Sequence, residues 1–183
     1  LPISVVRDLN IDYETIRELM EMQEALHWMV GRDRKKASIG VHNLDAVRPP
    51  FSYVTCAPNE IKFVPLDKTE EMTLQEVLEK HEKGMAYKSE VDWASRYPLI
   101  VDRNGDVLSF PPIINGELTR VVEDTRNLFI DVTGTEMNAI SRSLKASRLI
   151  QLHDQKHNTS IAGFVSHATN SHPHRGSKGA LLR

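Results

Sequence analysis

The sequence predicts an α+β fold. Strand-like apolar runs crowd the middle of the 183-residue chain, and helical patterns sit near both ends and once in between. No regular strand–helix–strand repeat is visible, which sets this pattern apart from a parallel α/β sheet.

Residues 1–11 read as short and extended. From Asp12 an amphipathic helix follows, with Ile16, Leu19, Met20, Leu26, Met29 and Val30 near helical spacing. Asp12, Glu14 and Glu18 occupy its early turns, where carboxylates suit the positive end of the helix dipole, and Gly31 is a fitting stop. His27 reads as a surface or packed helix residue, since no second ligand-type residue stands at metal spacing from it. Arg32-Asp33-Arg34-Lys35-Lys36 is the most basic run in the chain. It is either a solvated loop or a set of phosphate contacts to a nucleic acid through Arg32, Arg34, Lys35 and Lys36. No aromatics interleave in the run to favour the second reading.

Ala37–Leu44 and Phe51–Ala57 read as strands, and Ile61–Leu66 as a third whose Pro65 confines it to an edge or a bulge. Cys56 in the second of these is a buried apolar residue with nothing nearby to activate a thiolate. Thr73-Leu74-Gln75-Glu76 is a capping box, opening a surface helix that carries Leu74, Val77, Leu78 and His81 and ends at Gly84. Leu99–Asp102 and Val107–Phe110 flank Asn104-Gly105, a strong hairpin signal. Pro111-Pro112 and Asn115-Gly116 make the next passage rigid and turn-rich. Leu128–Val132 supplies a further strand, and Thr135 caps a last helix with Met137, Ile140 and Leu144 on one face.

From about residue 146 the pattern changes. Residues 151–183 hold five of the eight histidines, His153, His157, His167, His172 and His174, without a sustained apolar period. The chain therefore divides into a domain at 1–145 and a His/Ser-rich segment at 146–183, a poorly packed tail or a stretch foreign to the domain. A metal site there lacks Cys or carboxylate partners at defined spacing.

Hydrophobic residues make up 40% and charged residues 26%, with a net charge of −2. These values exclude disorder and argue against a wholly basic nucleic-acid coat. A lone cysteine leaves no internal disulfide framework and favours a reducing compartment. No apolar run approaches the roughly 20 residues that span a bilayer, no signal peptide is visible, and the composition suits a cytoplasmic domain. The start at Leu1 rather than Met suggests a piece excised from a larger protein.

The stretch Asp106–Thr135 gathers short polar side chains on a rigid backbone, as a small-molecule pocket requires. Phosphate-loop, dinucleotide, zinc-protease, Cys-pair and nucleophile-elbow motifs are all absent. Taken blandly, Ser109 is a strand hydroxyl satisfied by backbone, and Asp131 and Thr133 are a strand end and a cap. Against this, Asp131 interrupts the apolar run LFIDV, where a buried carboxylate is costly without a partner. Thr133, two residues on, shares its strand face.

The runs KASIGVHNLDAVRPPFSYVTCAPNEIKFVPLD and YPLIVDRNGDVLSFPPIINGELTRVVEDTRNLFIDVTGT closely resemble the archaeal and eukaryotic phenylalanyl-tRNA synthetase beta subunit, in its B3/B4 editing region. The resemblance covers roughly residues 15–145, and SFPPIINGELTR and NLFIDVTGT are its most specific parts. It implies a three-layer domain of β-sheets with flanking helices, and hydrolysis of tyrosine mis-attached to the phenylalanine tRNA. Ser109, Asn115, Gly116 and Thr133 would then be catalytic, and Leu99, Asp131 and Thr133 would bind substrate. Asp131 would read the tyrosine hydroxyl, Leu99 would form a wall for the ring, and Gly116 with neighbouring backbone N–H groups would hold the ester carbonyl. No metal or other cofactor is implied for editing; ATP and Mg belong to the full synthetase, whose alpha subunit and tRNA are the implied partners. The implied rival is a non-catalytic interaction module, in which Asp131 would be tied to Arg120 or Arg126 in a structural salt bridge.

Overall fold

The computed structural model describes residues 2–154 and 180–182, with 146–154 and 180–182 described by backbone alone. The fold is α+β, with three antiparallel sheets and four helices among the described residues. Among the described residues the chain forms two compact units, one built from the residues up to Asp45 and from Val121 to Asp154, the other from Ala46–Arg120 with Ala180–Leu182.

The first unit is a three-stranded sheet in the order β1 (Ile3–Val6), β9 (Leu128–Gly134), β2 (Ala37–Asn43). Its helices are α1 (Tyr13–Met29) and α4 (Met137–Asp154). Alternation divides β9 into two faces: Leu128, Ile130 and Val132 enter the apolar core, while Phe129, Asp131 and Thr133 point the other way. Across from the core set stand Ala37, Ile39 and Val41 of β2 and Val6 of β1, with Leu19 of α1 and Ile140 of α4 packed against them. Asp12 caps α1, its carboxylate accepting from Thr15 N at 2.8 Å. The helix departs from its expected apolar stripe at Met29, which is exposed, and Met137 of α4 is likewise exposed while Ala139 and Ile140 are buried. His27 is buried, and its Nε2 accepts from Ile39 N at 2.9 Å, covering a donor on the edge of β2 that has no strand partner.

The second unit is a five-stranded sheet in the order β10 (Ala180–Leu182), β3 (Phe51–Cys56), β6 (Tyr97–Val101), β7 (Val107–Phe110), β8 (Ile114–Asn115). A two-stranded piece, β4 (Lys62–Phe63) with β5 (Met72–Thr73), accompanies it. The predicted third strand shrinks to these two residues of β4, and Pro65 beyond it makes only an isolated bridge to Gly116. The expected hairpin is present: Gly105 takes φ +91°, and the buried Asp102 carboxylate accepts from Asn104 N (2.7 Å) and Asp106 N (3.0 Å) to hold the turn. Asn115-Gly116 does not form the expected turn; Asn115 is in β8 and Gly116 is extended, with φ −78° and ψ 145°.

Helix α2 (Leu74–Lys80) opens with the predicted box, Thr73 Oγ1 accepting from Glu76 N at 3.1 Å and Glu76 Oε2 from Thr73 N at 3.0 Å. It ends at Lys80 rather than at Gly84. His81 turns the chain into α3 (Glu82–Tyr87), accepting from Lys83 N through Nδ1. Gly84 is therefore interior to α3, where a Cβ would stand 1.8 Å from the Val77 carbonyl oxygen. Leu74, Val77 and Leu78 are fully buried in the core of this unit with Leu99, Phe110 and Ile113. Residues 146–154 continue α4, and residues 180–182 pair with β3. His153 falls in α4, and the other four histidines of that segment lie outside the described residues. No helix of the described residues is long and apolar enough to cross a membrane.

Two predictions follow from α2 and α3. Gly84→Ala forces the helices apart and should destabilise the chain by about 1–3 kcal/mol or more, read by urea unfolding; unchanged stability would contradict the close approach. The Lys80 ammonium, then the Thr73 N–H, hold the Glu76 carboxyl down at about 2 from an ordinary 4.5. A depressed folded value means the cap's contribution is present above pH 4.5 and lost as pH falls toward 2. Side-chain titration of Glu76 by NMR should show that low midpoint, and Lys80→Ala should raise it.

Candidate functional site

A carboxylate in the middle strand of a sheet must find a partner or destabilise the fold. Asp131, only 2% exposed, finds His42, whose Nε2 lies 2.9 Å from Asp131 Oδ2. Neither arginine expected of the rival reading is involved. Arg120 grips Glu117 (Nε–Oε1 2.6 Å) and Asp67 (Nη2–Oδ1 2.5 Å), and Arg126 donates to the Leu9 carbonyl and to Asn10.

The register explains how the pair meets. Gly40 is the β2 residue directly opposite Asp131, and His42 is opposite Phe129, so the imidazole reaches diagonally across Gly40 to the carboxylate. A Cβ on Gly40 would stand 2.2 Å from Asp131 Oδ2 and 2.5 Å from His42 Nε2. Only glycine leaves that space. Ser38 faces Thr133 in the same register, and the His42 ring lies 5.9 Å from that of Phe129. One sheet face thus carries Ser38, Gly40 and His42 against Thr133, Asp131 and Phe129, all buried. Asp131 and Thr133 share a face as the spacing required. His42 and Gly40 went unnoticed in the sequence; the available signal was Ser38-Gly40-His42, a small or polar residue at every second position of an otherwise apolar strand.

In the second unit Ser109 stands on β7 between Ile100 of β6 and Asn115 of β8. It is 3% exposed, and among the described residues its Oγ has no hydrogen-bond partner. The bland reading, a hydroxyl satisfied by backbone, is not what the structure contains. A buried hydroxyl without a partner costs about 1–3 kcal/mol. Leu99 is not beside it. Antiparallel pairing of Ile100 with Ser109 turns Leu99 to the opposite face, into the core with Phe110. Gly116 donates through its N–H to the Leu108 carbonyl at 2.8 Å. Its lack of a side chain serves packing: a Cβ would lie 2.6 Å from the Val107 carbonyl oxygen. The Thr119 hydroxyl, bonded to the Leu108 and Gly116 carbonyls, fixes the same corner. Cys56 is buried, and that burial pushes its thiol up, away from thiolate chemistry.

The basic run splits in two. Arg34 is 8% exposed and paired with Glu24 at 2.8 Å, and Lys36 is paired with Glu136. Arg32 and Lys35 are exposed and make no ion pair among the described residues. Four phosphate-facing cations were expected; two inner ones hold the turn and two outer ones face solvent.

The B3/4 domain model matches residues 10–160, and the chain belongs to this family. Its relatives are phenylalanine–tRNA ligase beta subunits of archaea. That of Methanosphaera stadtmanae is 51% identical over 140 residues, covering 76% of this chain and 25% of the relative. That of Methanothrix thermoacetophila is 56% identical over 133 residues, covering 73% and 25%. The crystal structure of an N-terminal fragment of the phenylalanyl-tRNA synthetase beta subunit from Pyrococcus horikoshii superposes with a TM-score of 0.80 at 39% identity, over 84% of this chain and 44% of that one. Within the family, then, this is an archaeal-type phenylalanyl-tRNA synthetase beta-subunit B3/4 domain. The chain spans about a quarter of the length of these curated relatives.

Gly40→Ala should separate His42 from Asp131. We expect about 1–3 kcal/mol of lost stability. In the Gly40→Ala background, a double-mutant cycle between His42→Asn and Asp131→Asn should lose most of its coupling energy. Full coupling in that background would show that the pair does not depend on the gap.

Proposed function

We propose that the domain edits: it hydrolyses tyrosine mis-attached to the phenylalanine tRNA, releasing free tyrosine and intact tRNA. The observation that carries this reading is Asp131, a carboxylate buried on a polar sheet face with His42 on one of its oxygens. The second carboxylate oxygen is the acceptor offered to a phenol, and Thr133 stands on the same face. A pocket built for phenylalanine rejects an isostere bearing one extra hydroxyl by only about 10²-fold. A site that bonds the hydroxyl rejects the analogue lacking it by about 10⁴–10⁵. Discrimination is therefore cheaper by deacylation than by selection at synthesis.

The aminoacyl ester is already activated, so a positioned water with well-placed donors suffices, and a tRNA terminal hydroxyl can share the proton work. Ser109 and Asn115 keep the catalytic roles implied by the resemblance. What supports Ser109 is the unpaired Oγ. Gly116 with neighbouring backbone N–H groups as carbonyl donor, and Leu99 as ring wall, likewise keep the roles implied by the resemblance. Aminoacylation with ATP and Mg, the alpha subunit and a cytoplasmic location belong to the full synthetase in this reading, while the phenylalanine tRNA is a partner of this domain as well. The interaction-module alternative loses its specific support, since Asp131 is paired with neither Arg120 nor Arg126.

The test is deacylation of Tyr-tRNA against Phe-tRNA, both on the phenylalanine tRNA. Wild-type chain should release tyrosine selectively. Asp131→Ala, and Asp131→Asn as the gentler change, should cut that selectivity by about 10- to 150-fold, the range for a hydrogen bond to a charged group. Ser109→Ala should slow release of tyrosine. Unchanged selectivity in both Asp131 variants would sink the assignment.

A further inference from the structure

The turn that ends α1 is built to present, rather than bury, part of its surface. Gly31 N bonds to the Leu26 carbonyl at 3.0 Å, Asp33 N to the His27 carbonyl at 2.9 Å, and Lys36 N to the Gly31 carbonyl at 2.8 Å. The chain therefore curls back over the last turn of the helix. Arg32, Asp33 and Arg34 all adopt left-handed backbone, with φ of 49°, 55° and 66°, a conformation that non-glycine residues adopt singly and at a cost. Arg34 is anchored inward by Glu24, and Lys36 by Glu136 at the start of α4. What remains outward is Arg32 and Lys35, and one turn back on α1 are Trp28, 65% exposed, and Met29, 80% exposed. Glu24 and Glu136 are thereby taken up by Arg34 and Lys36.

Among the described residues, two exposed cations without an ion pair, four and seven positions along the chain from an exposed indole, form a specific combination. Cations alone suit any anionic surface, and an exposed apolar side chain alone suits a protein. Together they suit a polyanion with flat faces, in which phosphates meet Arg32 and Lys35 and a base stacks on Trp28. We propose that this patch is an RNA contact for an unpaired strand, made by Trp28, Arg32 and Lys35, with Arg34 and Lys36 holding the turn. It rests on the editing reading only in naming tRNA as the natural occupant.

The test measures binding, not deacylation, so the two readings fail separately. The 183-residue chain is titrated with uncharged phenylalanine tRNA and with a short single-stranded RNA, over a range of salt, in a Trp93→Phe background so that fluorescence reports Trp28 alone. Quenching of Trp28 and affinity that falls with salt are expected. Trp28→Ala should weaken binding about tenfold. Arg32→Gln with Lys35→Gln should lower the slope of log affinity against log salt by about 1.4 for a single strand. Arg103→Gln, an exposed arginine of the other unit, should leave both unchanged. Binding by the triple variant with wild-type affinity and slope would overturn the proposal, as would failure of the wild-type chain to bind either RNA. Full RNA binding through the patch in a chain that deacylates nothing would keep this proposal and remove the editing one.

Discussion

The first unit depends on one unfavourable act, the burial of a carboxylate in the central strand of its sheet. β9 is flanked on both sides, so Asp131 cannot turn its charge to water, and the fold must supply a partner across the strand. It does so with His42 and makes room with Gly40. An apolar residue at position 131 would be simpler to fold around. That a polar pair persists where core packing would ask for none is what separates this sheet face from its opposite one, where β9 and β2 contribute Leu128, Ile130, Val132, Ala37, Ile39 and Val41.

The two units treat unsatisfied polarity differently. In the first, Asp131 has a partner on one oxygen, and the remaining polar groups stand in register beside it. In the second, Ser109 has none, though the strands on both sides of it are paired and the surrounding backbone is bonded. Gly116 marks the limit of that tolerance: its backbone is drawn tightly to β7 and committed there. Its lack of a side chain is what lets that backbone come so close.

Much of this was legible in the sequence because it is local. The Thr73–Glu76 box, the Asn104-Gly105 hairpin, the α1 cap and most strand limits depend on residues within a turn of one another. Alternation along LFIDVTG placed Asp131 with Thr133 correctly. What was not legible is relational. His42 and Asp131 are 89 positions apart, and nothing in either neighbourhood announces the other. The α2 break at His81 was hidden because His81 ends one helix and caps the next, and Gly84 looked like a terminator when its role is to let α3 approach Val77. Strand pairing, which sets Leu99 on the face with Phe110 and Ser109 on the other, is equally invisible from either neighbourhood.

The chain order of the first unit carries a kinetic consequence. Strands β1 and β2 are made before the whole of Ala46–Arg120, and β9, which must lie between them, only after it. On a ribosome the early strands emerge with no partner to pair with, and the sheet cannot close until the intervening segment has been synthesised. Closing a loop of that length is entropically disfavoured while it is a coil, and less so once it has collapsed. The Asp131 face is thus among the last parts of the molecule to be assembled. A nascent chain stalled before β9 would display two unpaired strands, each an edge open to aggregation.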